Sequence, residues 1–198
     1  MPMEKIQARQ KRVIEILPNI AKCVNGNAVM IGGTALSLFY LNHRMSIDID
    51  LAVDSESDVF AREIKGCLSK IGFEAKRTTY TNVFTVNFPE TAVRIEFMEL
   101  SMKPSEINEF PSGNAIMKVA SLPKLLELKA IAYKERKLHR DVFDIWAILR
   151  YEKKDMKLLE NIIRRYGLPK DDESYLKMMG ISDDDIKSFL KVIKDASA

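Results

Sequence analysis

Apolar residues recur at helical spacing over residues 4–23, where Ile6, Val13, Ile14 and Leu17 share a stripe. A helix is expected there, with Pro18 as a point of kinking or division. Asn25-Gly26-Asn27 is a turn, and the apolar run Ala28–Ile31 is a short strand closed by Gly32-Gly33. Thr34–Leu41 has helical composition, with Thr34 placed as an N-cap. Ile47–Val53 alternates as a strand, and residues 55–71 form a helix ended by Gly72. Strand patterns follow at 73–79, 82–88 and 92–100, then a loop at 102–113 and one more short strand at 116–119. From residue 122 the pattern is helical: 122–135, 140–152, 155–166 and 183–195, with a break at Gly167-Leu168-Pro169.

That order predicts an α/β (α+β) fold, with a catalytic-type core over residues 1–117 and a helical subdomain over 118–198. At 198 residues, 46% hydrophobic and 30% charged, the chain is that of an ordinary globular protein. No apolar run is long enough for a membrane span, and the opening MPMEKIQARQKR leads into no apolar segment of a secretory signal. Cys23 and Cys67 lie far apart, without metal-ligand spacing, and no disulfide is expected of them. The cytoplasm is the expected compartment. Net charge is +3, but residues 118–170 hold 14 Lys/Arg against 7 Asp/Glu. Such a stretch suits a polyanion, although on charge alone a solvated helix face is the simpler explanation.

One stretch does not fit a purely structural reading. In Ile47-Asp48-Ile49-Asp50-Leu51, two aspartates fall on one face of a strand while the aliphatic residues face the core. Paired carboxylates repel unless a cation lies between them, and a divalent ion held by them with substrate phosphates is the economical solution. Upstream, Gly32-Gly33-Thr34 could bring backbone N–H groups and a hydroxyl close to a phosphate. Glu96, in Val93-Arg94-Ile95-Glu96-Phe97, could add a third carboxylate if its strand lies beside Ile47–Val53, or could simply line a wet face with Arg94. Lys129 lies on a rather apolar side of its helix with Leu125 and Ala132, where snorkelling is the plain alternative to a function. Arg140 and Asp144 are spaced as an i, i+4 salt bridge, and Asp141 suits the first turn of a helix. His43 and His139, the two histidines, have no ligand-spaced neighbours for zinc. Phe39, Tyr40, Phe143 and Trp146 read as core.

The segment IGGTALSLFYLNHRMSIDIDLAV resembles the Gly-Gly-Thr-Ala-Leu … Arg-x-Ser-x-Asp-Ile-Asp-Leu signature of the AbiEii/AbiGii toxin family of nucleotidyltransferases, within the DNA polymerase β-like superfamily. LPKLLELKAIAYKERKLHRDVFDIWAIL, residues 122–149, resembles that family's second block, a lysine-bearing helix followed by Arg-Asp-x-x-Asp. The two blocks cover about a quarter of the chain, in the right order. The resemblance implies a polymerase-β-like core with a mixed sheet flanked by helices, followed by a helical subdomain. It implies that Gly32, Gly33, Thr34, Arg44 and Lys129 bind the nucleotide, and that Asp48, Asp50 and Glu96 hold Mg²⁺, with Mn²⁺ as the alternative ion. Glu96 stands where many relatives have Asp. Asp144 supports the site from the helical half. The implied reaction is NMP transfer from an NTP to an acceptor hydroxyl, on RNA such as the tRNA 3′ end, by a toxin that has an antitoxin. Transfer to a protein or to a small molecule such as an aminoglycoside is the alternative, and a nucleotide-binding module without chemistry is another. Little chain follows residue 152, which leaves room for a partner protein or a homodimer to complete the acceptor site.

Overall fold

The computed structural model describes residues 3–197. Helix α1, Met3–Val24, runs unbroken through Pro18 and buries Val13, Ile16, Leu17 and Ile20. Strand β1, Val29–Ile31, passes directly into α2, Gly32–Leu36, whose chain continues as a π-helical turn over Ser37–Leu41. Strand β2 is Asp48–Val53 and helix α3 is Ser57–Lys70. Strands β3 (Glu74–Arg77), β4 (Val83–Asn87), β5 (Ala92–Glu99), β6 (Ile107–Ser112) and β7 (Ala115–Ala120) follow. Helices α4 (Leu122–Arg136), α5 (His139–Tyr151), α6 (Lys157–Tyr166), α7 (Ser174–Met178) and α8 (Asp183–Ser197) complete the chain.

All seven strands join one mixed sheet in the order β3-β4-β5-β2-β1-β7-β6. The central strand β2 runs antiparallel to β1 and parallel to β5, and β1 runs parallel to β7. The mixed α/β fold expected from the sequence is the fold observed. Ile49 and Ile95 are cross-strand partners on the face that joins the main core, with Val13 and Ile16 of α1 and Ile64 and Leu68 of α3. A second apolar cluster belongs to the helical half, where Phe143 and Trp146 of α5 meet Phe189 of α8. Ile47 joins neither: with Ile6 and Met179 it forms a third, small cluster between the start of α1, the approach to β2 and α7.

Four expectations need correction. The segment expected to be a loop over 102–113 contains β6, an edge strand paired only with β7. Its Pro111 and polar residues hide the strand pattern, and an edge is where a sheet tolerates proline. Helix α7 lies in a stretch with no helical periodicity of its own, being only five residues long. Thr34 is not an N-cap: the helix begins at Gly32, and Ile31 occupies the cap position. Cys23 and Cys67 form a disulfide between α1 and α3, with Cα atoms 5.9 Å apart. The 44-residue separation concealed this, because the packing of α1 on α3 is a tertiary fact. None of the described helices is long and apolar enough to cross a membrane.

Candidate active site

Register places the acidic residues. Asp50 lies opposite Glu96 and Asp48 opposite Arg94 in the parallel pairing of β2 with β5. Cross-strand partners share a face, so all four side chains project together. They line a cleft of about 530 Å³, together with Gly32, Gly33 and Lys129. The condition set for Glu96, that its strand lie beside β2, is met.

The glycine pair has a steric role in this cleft. Gly32 adopts φ +78°, and a Cβ there would stand 2.2 Å from Asp50 Oδ2. A Cβ on Gly33 would stand 2.3 Å from Arg44 Nη2. Only glycine lets the turn from β1 into α2 pass so close to both charged groups. Thr34 is fully buried: its hydroxyl donates to the Asp48 carbonyl and lies 2.8 Å from Ser46 Oγ. It braces the entrance to β2 and does not face the cleft.

Asp144, fully buried on α5, gathers the cations. Arg44 donates from Nε to Oδ1 (2.6 Å) and from Nη2 to Oδ2 (2.7 Å). Lys129 Nζ lies 2.6 Å from Oδ2, and His43 Nε2 lies 2.7 Å from Oδ1. Burial alone would raise this carboxyl, but Arg44 and Lys129 overcome that and hold it well below the usual carboxylate range. Burial pushes the His43 imidazole down despite Asp144, so it is neutral at pH 7. The expected Arg140–Asp144 pair is not made. Asp144 faces the β2 side of α5, and Arg136 takes Asp141 instead, at 2.8 Å. Asp141 also stands 3.6 Å from Lys129.

Lys129 therefore has a reason to lie on an apolar helix side: it is buried and aimed across Asp144 toward the cleft. Arg44 is committed differently from what the resemblance implies. Its Nε and Nη2 go to Asp144, and its Nη1 donates to the Met45 carbonyl at 2.9 Å. It fixes the chain entering β2.

The three-carboxylate site expected from Asp48, Asp50 and Glu96 is not assembled. Among the described residues, no group of three or more His, Cys, Asp or Glu is gathered closely enough to hold a metal ion. Two of the three carboxylates are paired with arginines instead. Arg94 Nη1 binds Glu96 Oε2 at 2.6 Å, and Arg9 Nη2 of α1 binds Asp48 Oδ1 at 2.7 Å. Asp48 and Asp50 still suit a hard divalent cation, which commonly takes one or two carboxylates and completes its shell with phosphate and water. Asp50 is pushed up from 3.8 to about 6, first by burial; Asp48 and Glu96 raise it further, and Lys129 and Arg94 pull it back. A carboxyl so placed is short of positive charge, and a cation at this pair would supply it.

Sequence reasoning missed Arg9, one of several basic residues on an amphipathic helix, and His43, set aside for want of a metal-ligand partner. Only the folded positions of α1 and α5 distinguish them.

Residues 24–194 match the family model described as nucleotidyl transferase AbiEii toxin, Type IV TA system. The chain belongs to the AbiEii nucleotidyltransferase toxin family. It is similar to an uncharacterised protein of Aquifex aeolicus, 23% identical over 168 residues, covering 82% of this chain and 76% of that one. Among solved structures, a putative nucleotidyltransferase from H. pylori has a TM-score of 0.63 at 20% identity, covering 98% of this chain and 94% of that one. The nucleotidyltransferase toxin MenT4 of Mycobacterium tuberculosis also has a TM-score of 0.63, at 16% identity, covering 98% of this chain and 84% of that one. These likenesses confirm the fold, and the family makes the protein a nucleotidyltransferase. The Gly-Gly-Thr and Asp-Ile-Asp segment and the Lys129–Asp144 block both lie inside the matched region.

Proposed function

We propose that this nucleotidyltransferase moves an NMP from an NTP to a hydroxyl of RNA, with the tRNA 3′ end as the preferred acceptor, as the toxin partner of a cognate antitoxin. The observation that carries the reading is the facing of Asp48 and Asp50 on β2 by Lys129 on α4 across one cleft. Asp48 and Asp50 are the proposed holders of Mg²⁺, which when bound would supply charge stabilisation at the reacting phosphate. Lys129 is held by Asp144 at the opposite wall, where its ammonium orients the phosphate chain. Gly32 and Gly33 leave the space the triphosphate needs beside Asp50. The basic stretch over 118–170 supports a polyanionic acceptor. A reaction fed by NTP and RNA favours the cytoplasm. The Cys23–Cys67 bridge would be unusual there outside hyperthermophiles.

The test is incubation with each α-labelled NTP, Mg²⁺ and total cellular RNA, beside an Asp48→Ala/Asp50→Ala double variant. Label entering an RNA band only with the intact aspartates is expected. NTP binding without label in RNA would redirect the proposal to a protein or small-molecule acceptor. No NTP binding at all would remove the catalytic assignment of the cleft.

A further inference from the structure

Two ion pairs at the cleft involve an arginine brought from a distant part of the chain, and they are built differently. Arg44 grips Asp144 through two parallel hydrogen bonds, with side chains 3% and 0% exposed. Arg9 meets Asp48 through a single hydrogen bond from Nη2, with side chains 22% and 36% exposed. Arg9 Nε is buried without a hydrogen-bond partner. A guanidinium has five N–H donors, so this one is under-used and weakly committed. The first pair is a fixture; the second is exchangeable.

We infer that Arg9 is a positioning residue that occupies Asp48 in competition with the divalent cation, and that a cation must displace it to engage the Asp48–Asp50 pair. The inference rests on the metal-binding reading of Asp48 given above. Arg9 comes from α1, most of which lies outside the segment matched by the family model. The helix is anchored independently by Val13, Ile16 and Ile20 in the core, and Ile6 packs beside Ile47 just before β2. It therefore presents Arg9 at the mouth of β2 as a counter-charge to Asp48. With Arg9 in place, Asp48 is satisfied and stays off its like-charged neighbour. With Arg9 displaced, Asp48 is free to join Asp50 at the cation.

The test is Mn²⁺ binding to the full chain without nucleotide, at about pH 7.5, followed by the electron paramagnetic resonance of the free ion. Arg9→Gln is expected to tighten Mn²⁺ binding by about fivefold, the factor withheld by a partly exposed ion pair. Arg12→Gln is the charge control. It removes the same charge one turn away, from a guanidinium that binds Glu15 and Glu90, and should leave affinity unchanged. Asp48→Asn in the Arg9→Gln background should abolish the gain. Arg9→Lys should give a smaller gain, and it carries the test if the Gln variant fails to melt cooperatively. Unchanged or weaker binding in Arg9→Gln, with Asp48→Asn still lowering affinity, overturns the role of Arg9 and leaves the metal reading standing. Equal tightening in Arg12→Gln overturns it too, since net charge alone would then account for the effect. No Mn²⁺ binding by any variant, with or without NTP, overturns both.

Discussion

Asp50 shows at a single position how a functional group works against the fold that carries it. It lies in the middle of the sheet's central strand, beside two other carboxylates. Its carboxyl is pushed from 3.8 to about 6, so ionising it at neutral pH costs the folded state about 3 kcal/mol. The sign follows from linkage. Below about pH 4, folded and unfolded chains are both protonated at Asp50 and nothing is lost. Between about pH 4 and 6 the unfolded chain gives up a proton that the folded chain keeps, so stability falls across that window and levels off above it. Asp50→Asn is expected to raise Tm by about 5–10 °C at pH 7.5 without added metal, and by little at pH 4, while abolishing transfer. Thermal melts at the two pH values check it; an equal shift at both would assign the gain to packing.

At the scale of elements, side chains that look like separate surface charges become struts between helices and strands. Asp144 joins α5 to Lys129 on α4 and to Arg44 ahead of β2. Asp144→Ala leaves Arg44 buried without its hydrogen-bonded carboxylate and Lys129 with only Asp141 at 3.6 Å, so a loss of about 3–5 kcal/mol is expected in urea unfolding. Asp171→Ala, whose partner His139 lies at the rim of α5, should cost far less. The Cys23–Cys67 bridge closes a 44-residue separation and restrains the unfolded chain by about 4 kcal/mol. Reduction, or Cys23→Ser with Cys67→Ser, should lower Tm by about 10 °C. Nucleotide binding should survive, since neither cysteine lines the cleft. Differential scanning calorimetry with and without reductant reads the first, and a nucleotide titration of the double variant the second.

For the whole molecule, the cleft exists because the sheet half and the helical half meet along α4. Leu125 of α4 belongs to the sheet's core cluster and Tyr133 to the helical one, so a single helix carries both interfaces and holds Lys129 between them. The excess of basic residues over 118–170 falls on this helical side, including Arg136 and Arg140 at the cleft. If RNA is the acceptor, its KM should rise at least tenfold between about 50 and 200 mM salt, as counterions compete for those charges. The KM for NTP should change much less. Steady-state kinetics at the two salt concentrations separates these, and a salt-independent acceptor KM would point to a small neutral molecule.

Much of this was legible in the chain itself. Alternation in Ile47–Val53 fixed which residues of β2 face the core and therefore that Asp48 and Asp50 project together. The glycine pair marked a close approach, and Lys129 stood out as a charge on an apolar helix side. These are local consequences of strand and helix periodicity, which sequence spacing carries directly. What spacing could not carry was the partner of each charge. Asp144 faces Arg44 and not Arg140, Asp48 faces Arg9, and Cys23 meets Cys67. Those pairings span 39 residues or more, and each depends on how a helix docks. The types of residue at the site are a property of the sequence. Which charges neutralise one another, and which must be displaced for a ligand to enter, was decided only when the sheet and its helices came together.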